Sequence, residues 1–128
     1  MSPYQSRDQA AQLFQELFLT LQKDHGLSEG LQEKELTLRL RHTDPDIDIF
    51  VGPGEVVCDQ PGRKGVITFR MAVCDAHDIW SGRLSLAAAL GTGRLTVQGH
   101  IPKVLQLVQL ILPAFTHYPG LAARAGVV

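Results

Sequence analysis

Asp44, Asp46 and Asp48 alternate in the run Asp-Pro-Asp-Ile-Asp, and Glu55 stands twelfth counting from Asp44. In an extended segment alternate side chains share a side, so the three carboxylates are grouped as a hard cation would need. A twelve-residue calcium loop also requires glycine at its sixth position and helices on both sides. Here the sixth residue is Ile49 and the flanks read as strands, so a solvated turn beside a strand's outward face is expected. A second group is Asp75, His77 and Asp78. On a helix Asp75 and Asp78 share a face and His77 does not, whereas a metal centre needs three or four converging ligands. Acids in the first turn of a helix are explained by its macrodipole. The alternative is a small enzyme using Asp75, His77 and Asp78 as an acid–base trio. Gly-x-Ser-x-Gly is absent, and Gly91-Thr92-Gly93 leads into a strand with no Gly-Lys-Ser behind it. No catalytic residue, metal ligand or cofactor is expected.

The 128 residues suit one domain spanning 1–128, and 45% apolar with 20% charged residues is ordinary globular usage. Twelve Lys and Arg against thirteen Asp and Glu leave a net charge of −1. That balance excludes a basic nucleic-acid footprint and a polybasic membrane anchor. Cys58 and Cys74 lack metal or redox spacing, which favours reduced thiols. With no signal-peptide pattern in Met-Ser-Pro-Tyr-Gln-Ser-Arg, the expected location is cytoplasmic. The longest apolar stretch, 104–115, is interrupted by Gln106, Gln109 and Pro113 and is shorter than the ~20 residues of a membrane span.

The elements that would position any site follow from periodicity. Ser6 and Gln9 resemble a capping box, and Ala10, Leu13, Phe14, Leu17, Phe18 and Leu21 form one helical stripe closed by Gly26. This is an N-terminal helix over about 6–25. The period then becomes two. Leu36, Leu38 and Leu40 are followed by a turn over 42–45, then Ile47, Ile49 and Val51 by Gly52-Pro53-Gly54, and Val56 to Cys58 by a turn over 61–65. Ile67, Phe69, Met71 and Val73 complete that series. Short strands with tight turns predict antiparallel neighbours. Asp75 is expected to cap a short helix through Trp80, a second helical turn covers 86–90, and Leu95 and Val97 mark a last strand within a sheet region of about 34–99. The C-terminal helix, about 101–125, begins near Pro102, is ended or kinked by Pro113, and gains a terminal turn over 121–125. The fold class is α+β, a mainly antiparallel sheet with helices on one face.

The C-terminal helix is more apolar than one contact requires. At 100° per residue Val104, Leu105, Val108, Ile111 and Leu112 form the core stripe, and Leu107 and Leu110 widen it. Such a helix is buried on two sides, faces a partner, or lines a ligand cavity.

From Asp75 onward the pattern Ile79-Trp80, Gly82-x-Leu84, Ala89, Gly93-Arg94-Leu95-Thr96-Val97-x-Gly99, followed by an apolar helix, resembles the sterol carrier protein type-2 lipid-binding domain. The two Gly-x-Leu units begin eleven residues apart, with the alanine seven after the first glycine. His100 and Ile101 stand where Met and Asn are frequent in that family. The resemblance implies a five-stranded sheet and helices enclosing an apolar tunnel for acyl chains, isoprenoids or sterols. It also implies non-catalytic binding and transfer or presentation of such a lipid. The residues it would place on the tunnel wall are Trp80, Leu84, Leu90, Val104, Leu107, Val108, Ile111, Leu112 and Phe115. Transient membrane contact, a homodimer, or service as a lipid-presenting module for a partner enzyme are the associations it implies.

Overall fold

In the computed structural model, which describes residues 3–60 and 63–127, the N-terminal stripe forms α1 (Arg7–Asp24) and buries all six of its predicted apolar positions. The Ser6 hydroxyl accepts the Gln9 N–H at 3.1 Å. The Gln9 amide oxygen reaches back to the Gln5 N–H, 2.7 Å away, one residue earlier than a capping box would have it. Gly26, at φ 66°, turns the chain into α2 (Leu27–Glu33), a helix not evident from the pattern. Only Leu27 and Leu31 mark its apolar side, and Gly30 lowers its intrinsic propensity.

Five strands follow the period-two segments: β1 (Leu38–Thr43), β2 (Ile47–Gly52), β3 (Glu55–Cys58), β4 (Ile67–Ala72) and β5 (Leu95–Gln98). Their order in the sheet is β3-β2-β1-β4-β5. The pairs β1/β2, β2/β3 and β4/β5 are antiparallel, but β1 and β4 are parallel, which corrects the expectation of a mainly antiparallel sheet. β3 and β4 are not hairpin partners; β4 pairs with β1, along the edge that β2 leaves free. Positions 61 and 62 of the expected turn lie outside the described residues. Leu38 and Leu40 on β1 are wholly buried, and a buried strand needs hydrogen-bonding partners along both edges. Thr37 anchors the crossover: its hydroxyl accepts the Val66 N–H at 2.8 Å and its carbonyl accepts the Ile67 N–H at 3.1 Å. Gly65 permits this approach, because a Cβ there would lie 2.7 Å from the Arg39 nitrogen.

Three boundaries differ from the periodicity reading. His42 is not in the turn but on β1, its ring stacked on Phe14 with centroids 4.5 Å apart. Val73 does not extend β4; it opens α3 (Val73–Trp80), so Asp75 lies in the first turn instead of capping it. The C-terminal region is two helices, α5 (Ile101–Ile111) and α6 (Pro113–Arg124), and residues 121–124 are the end of α6. Between α3 and α5 lies α4 (Leu86–Gly91), capped by the Ser85 hydroxyl accepting the Ala88 N–H.

The inner sheet face, with Leu40, Ile49 and Phe69, carries the core under α1 and α3. The outer face presents Arg39, Arg41, Asp48, Thr68, Arg70, Thr96 and Gln98, paired across the strands in register.

Candidate functional site

The end of α3 brings Trp80 into the centre of the molecule. Val73, Ala76, His77 and Trp80 share one helical face and are all buried. Phe18 from α1 meets the Trp80 ring edge-on with centroids 5.8 Å apart, and Phe115 from α6 lies tilted against it at 5.5 Å. Phe18 was not among the predicted wall residues, because in sequence it is simply one member of the α1 stripe. The Trp80 indole Nε1–H is buried with no partner among the described residues.

α5 is turned relative to the expected orientation. Leu107 and Ile111 are fully buried and Val104 is half-buried, so these three point inward. Leu105 and Leu112, expected in the core stripe, are instead 61% and 45% exposed, and Ile101 is 74% exposed. The inward direction has rotated by roughly 65°, less than the ~100° of one residue. The cause is the contact with α2: Leu110 lies against Gly30, where an added Cβ would come within 2.6 Å of the leucine methyl. Lys103 ties the same two helices by donating to the Lys34 carbonyl at 3.2 Å. Seating α5 on α2 leaves Ile101, Leu105 and Leu112 as an apolar stripe facing outward.

Of the nine residues named from the resemblance, Trp80, Leu107 and Ile111 belong to the buried core. Leu84, Val104 and Phe115 pack against that core half-buried. Val108 is half-buried, Leu112 is exposed on α5's open side, and Leu90 on α4 is 49% exposed. The structure therefore joins an inner apolar wall to an outer apolar stripe on one helix, and Leu90 stands apart on α4.

The polar groups nearby are structural in their contacts. His77 is buried and its Nδ1 lies 2.8 Å from the Tyr118 hydroxyl, which also bonds the Tyr4 hydroxyl. Burial pushes the Tyr118 hydroxyl up to about 12 and Tyr4 higher still. Asp75 faces Arg94 at 3.8 Å and Asp78 faces Arg83 at 3.9 Å. Arg83 also lies 3.5 Å from the His77 Nε2, so His77 and Asp78 share that guanidinium while Asp75 faces Arg94. In the first turn considered above, Asp44 and Asp46 are exposed while Asp48 is held by Arg39, whose Nε donates to both carboxylate oxygens at 3.0 and 3.1 Å. Glu55 pairs with Arg63 at 3.0 Å. Among the described residues no group of three His, Cys, Asp or Glu side chains could hold a metal ion. Burial raises the Cys58 thiol to about 11, and neither it nor Cys74 is in a disulfide. Among the described residues no helix is long and apolar enough to cross a membrane.

No protein-family model and no curated protein matches the chain. Solved structures do. The sterol carrier protein domain 2 of Helicoverpa armigera is 20% identical, with a TM-score of 0.62 over 77% of this chain and 81% of that one. Sterol carrier protein 2 like 2 of Aedes aegypti is 13% identical, with a TM-score of 0.63 over 80% and 96%. The apo form of sterol carrier protein 2 of Yarrowia lipolytica is 10% identical, with a TM-score of 0.61 over 88% and 97%. The chain has the sterol carrier protein 2 fold.

Proposed function

We propose that the chain binds a hydrophobic lipid (fatty acyl, isoprenoid or sterol-like) and transfers or presents it without catalysis. The lipid is received between α3, α5 and α6. Trp80, Leu84, Val104, Leu107, Val108, Ile111 and Phe115 form the wall of an apolar tunnel, and Leu90 and Leu112 stand at its rim. The observation that carries this reading is the continuity on α5 of a buried apolar wall with an exposed stripe of Ile101, Leu105 and Leu112. A helix that needed only to pack would be polar on its open side. The likeness to sterol carrier proteins supports the same reading.

Removing a sixteen-carbon chain from water is worth about 12 kcal/mol gross, at ~0.8 kcal/mol per CH₂. A bilayer interior is equally apolar, so transfer from membrane to protein is near neutral and loading is reversible. Reversible loading suits a carrier that touches a membrane transiently, and no acid, base or nucleophile is needed for it. The α5 stripe would meet the bilayer at its surface, since an 11-residue helix is too short to span it.

The test is native mass spectrometry of the protein taken directly from cells. Vesicle-to-vesicle transfer of a pyrene-labelled fatty acid by the purified chain is then measured. Co-purified lipid and catalysed transfer support the reading. Lipid-free protein that transfers nothing overturns it. Size-exclusion chromatography distinguishes a monomeric carrier from a homodimer that covers the stripe with a second copy.

A further inference from the structure

The outer sheet face, opposite the lipid-facing half, carries an arrangement that packing does not require. Arg41 on β1 and Arg70 on β4 are directly opposed in the parallel register, and both are exposed. Like charges at opposed positions of neighbouring strands destabilise a sheet. Within 4.0 Å neither guanidinium has a carboxylate among the described residues. Asp48, opposite Arg41 across β1/β2, is occupied by Arg39 instead. Asp59, on the same side, is occupied by Arg7. Beside the two arginines, toward β5, lies a cleft of about 210 Å³ lined by Arg41, Thr68, Arg70, Thr96 and Gln98. Every side chain in its wall can donate a hydrogen bond, and none is a carboxylate.

We propose that this cleft binds a phosphate-type dianion. Two guanidinium forks supply two positive charges and paired donors, and the two hydroxyls and the amide serve the remaining oxygens. A phosphate monoester, carrying close to two negative charges and three terminal oxygens, matches both the charge and the number of donors. A carboxylate would leave one arginine unpaired. The cleft is several times the ~30 Å³ share of a water molecule, so it takes a headgroup-sized anion. The anion is the phosphate of a free metabolite or of a lipid headgroup. The site does not depend on the lipid reading, since it lies on the opposite sheet face.

The experiment titrates inorganic phosphate into the ¹⁵N-labelled full chain, with sodium chloride at matched ionic strength as reference. Saturable shifts are expected at the Arg41 and Arg70 Nε–H groups and at the backbone amides of Thr68, Thr96 and Gln98. Arg41→Gln and Arg70→Gln should each weaken phosphate binding about tenfold or more, Arg70→Lys less, and Arg124→Gln on α6 not at all. Equal shifts with chloride, or undiminished affinity in Arg70→Gln, overturn the proposal. Flotation with phosphatidylcholine vesicles, with and without phosphatidic acid, separates the two sources. Arginine-dependent flotation with phosphatidic acid assigns the anion to a lipid headgroup. Phosphate saturation without flotation assigns it to a soluble ligand.

Discussion

The Trp80 and Phe115 rings lie 5.5 Å apart between centroids, tilted by 47°, and this contact joins the end of α3 to α6. Trp80 is the one tryptophan in the sequence, so its fluorescence reports on this position alone. Its indole N–H has no partner among the described residues, and that state costs about 1–3 kcal/mol for a buried donor. Trp80→Phe removes the orphan donor while keeping a ring, so a change within about 1.5 kcal/mol is expected in urea denaturation. Trp80→Ala should cost about 3–5 kcal/mol. Equal losses in the two variants would show that ring contacts with Phe18 and Phe115 do not hold α3 in place.

Residues on the two sides of α5 should separate stability from lipid exchange. Leu107→Ala opens the core and should cost about 2–5 kcal/mol. Leu105→Glu, on the open side, should leave stability within about 0.5 kcal/mol and slow pyrene–fatty acid transfer about tenfold or more. Unchanged transfer by a folded Leu105→Glu protein removes the stripe from the mechanism.

His42 makes stability depend on acid. Burial holds its pKa down at about 4, against 6.5 when unfolded, although Nδ1 lies 3.1 Å from the Ile47 carbonyl. A carbonyl only accepts, so Nδ1 carries the proton, and the buried Nε2 has no partner among the described residues. Between pH 6.5 and 4 the unfolded chain binds a proton that the folded chain refuses. Stability from this group is therefore complete above 6.5 and falls by roughly 3 kcal/mol as pH drops to about 4. His42→Phe, which retains a ring against Phe14, should flatten this part of the acid limb in denaturation measured from pH 7 to 4. Parallel curves for the two proteins would contradict it.

Opposed Arg41 and Arg70 predict a gain on removing one charge. Arg70→Gln should raise stability by about 0.2–1 kcal/mol at low salt, and the gain should shrink as salt screens the pair. Thermal unfolding at 10 mM and 500 mM sodium chloride measures both effects. A loss of stability at low salt would mean that each arginine is already compensated.

Much of the fold was legible locally. The α1 stripe from Ala10 to Leu21, the alternation on β1 and β2, the helical turn over 86–90 and the break at Pro113 all fell where periodicity put them. The Gly82 to Gly99 spacing pointed to the sterol carrier protein 2 fold with no more than 20% identity to the solved structures compared. His42 was misplaced because a histidine next to Thr-Asp-Pro has the composition of a turn. Only the hairpin register brings its ring inward.

The sequence by itself determined where most helices and strands lie, α2 and the boundaries at His42 and Val73 excepted, and how many sides of α5 are apolar, since both are properties of spacing along one chain. Tertiary structure decided which partner each side meets. β4 joins β1 because the buried central strand needs two bonded edges, and α5 turns toward α2 because Gly30 admits Leu110. The neighbouring positions of Arg41 and Arg70 follow from the same parallel pairing. Residues 29 apart become neighbours through strand order, which no local period encodes.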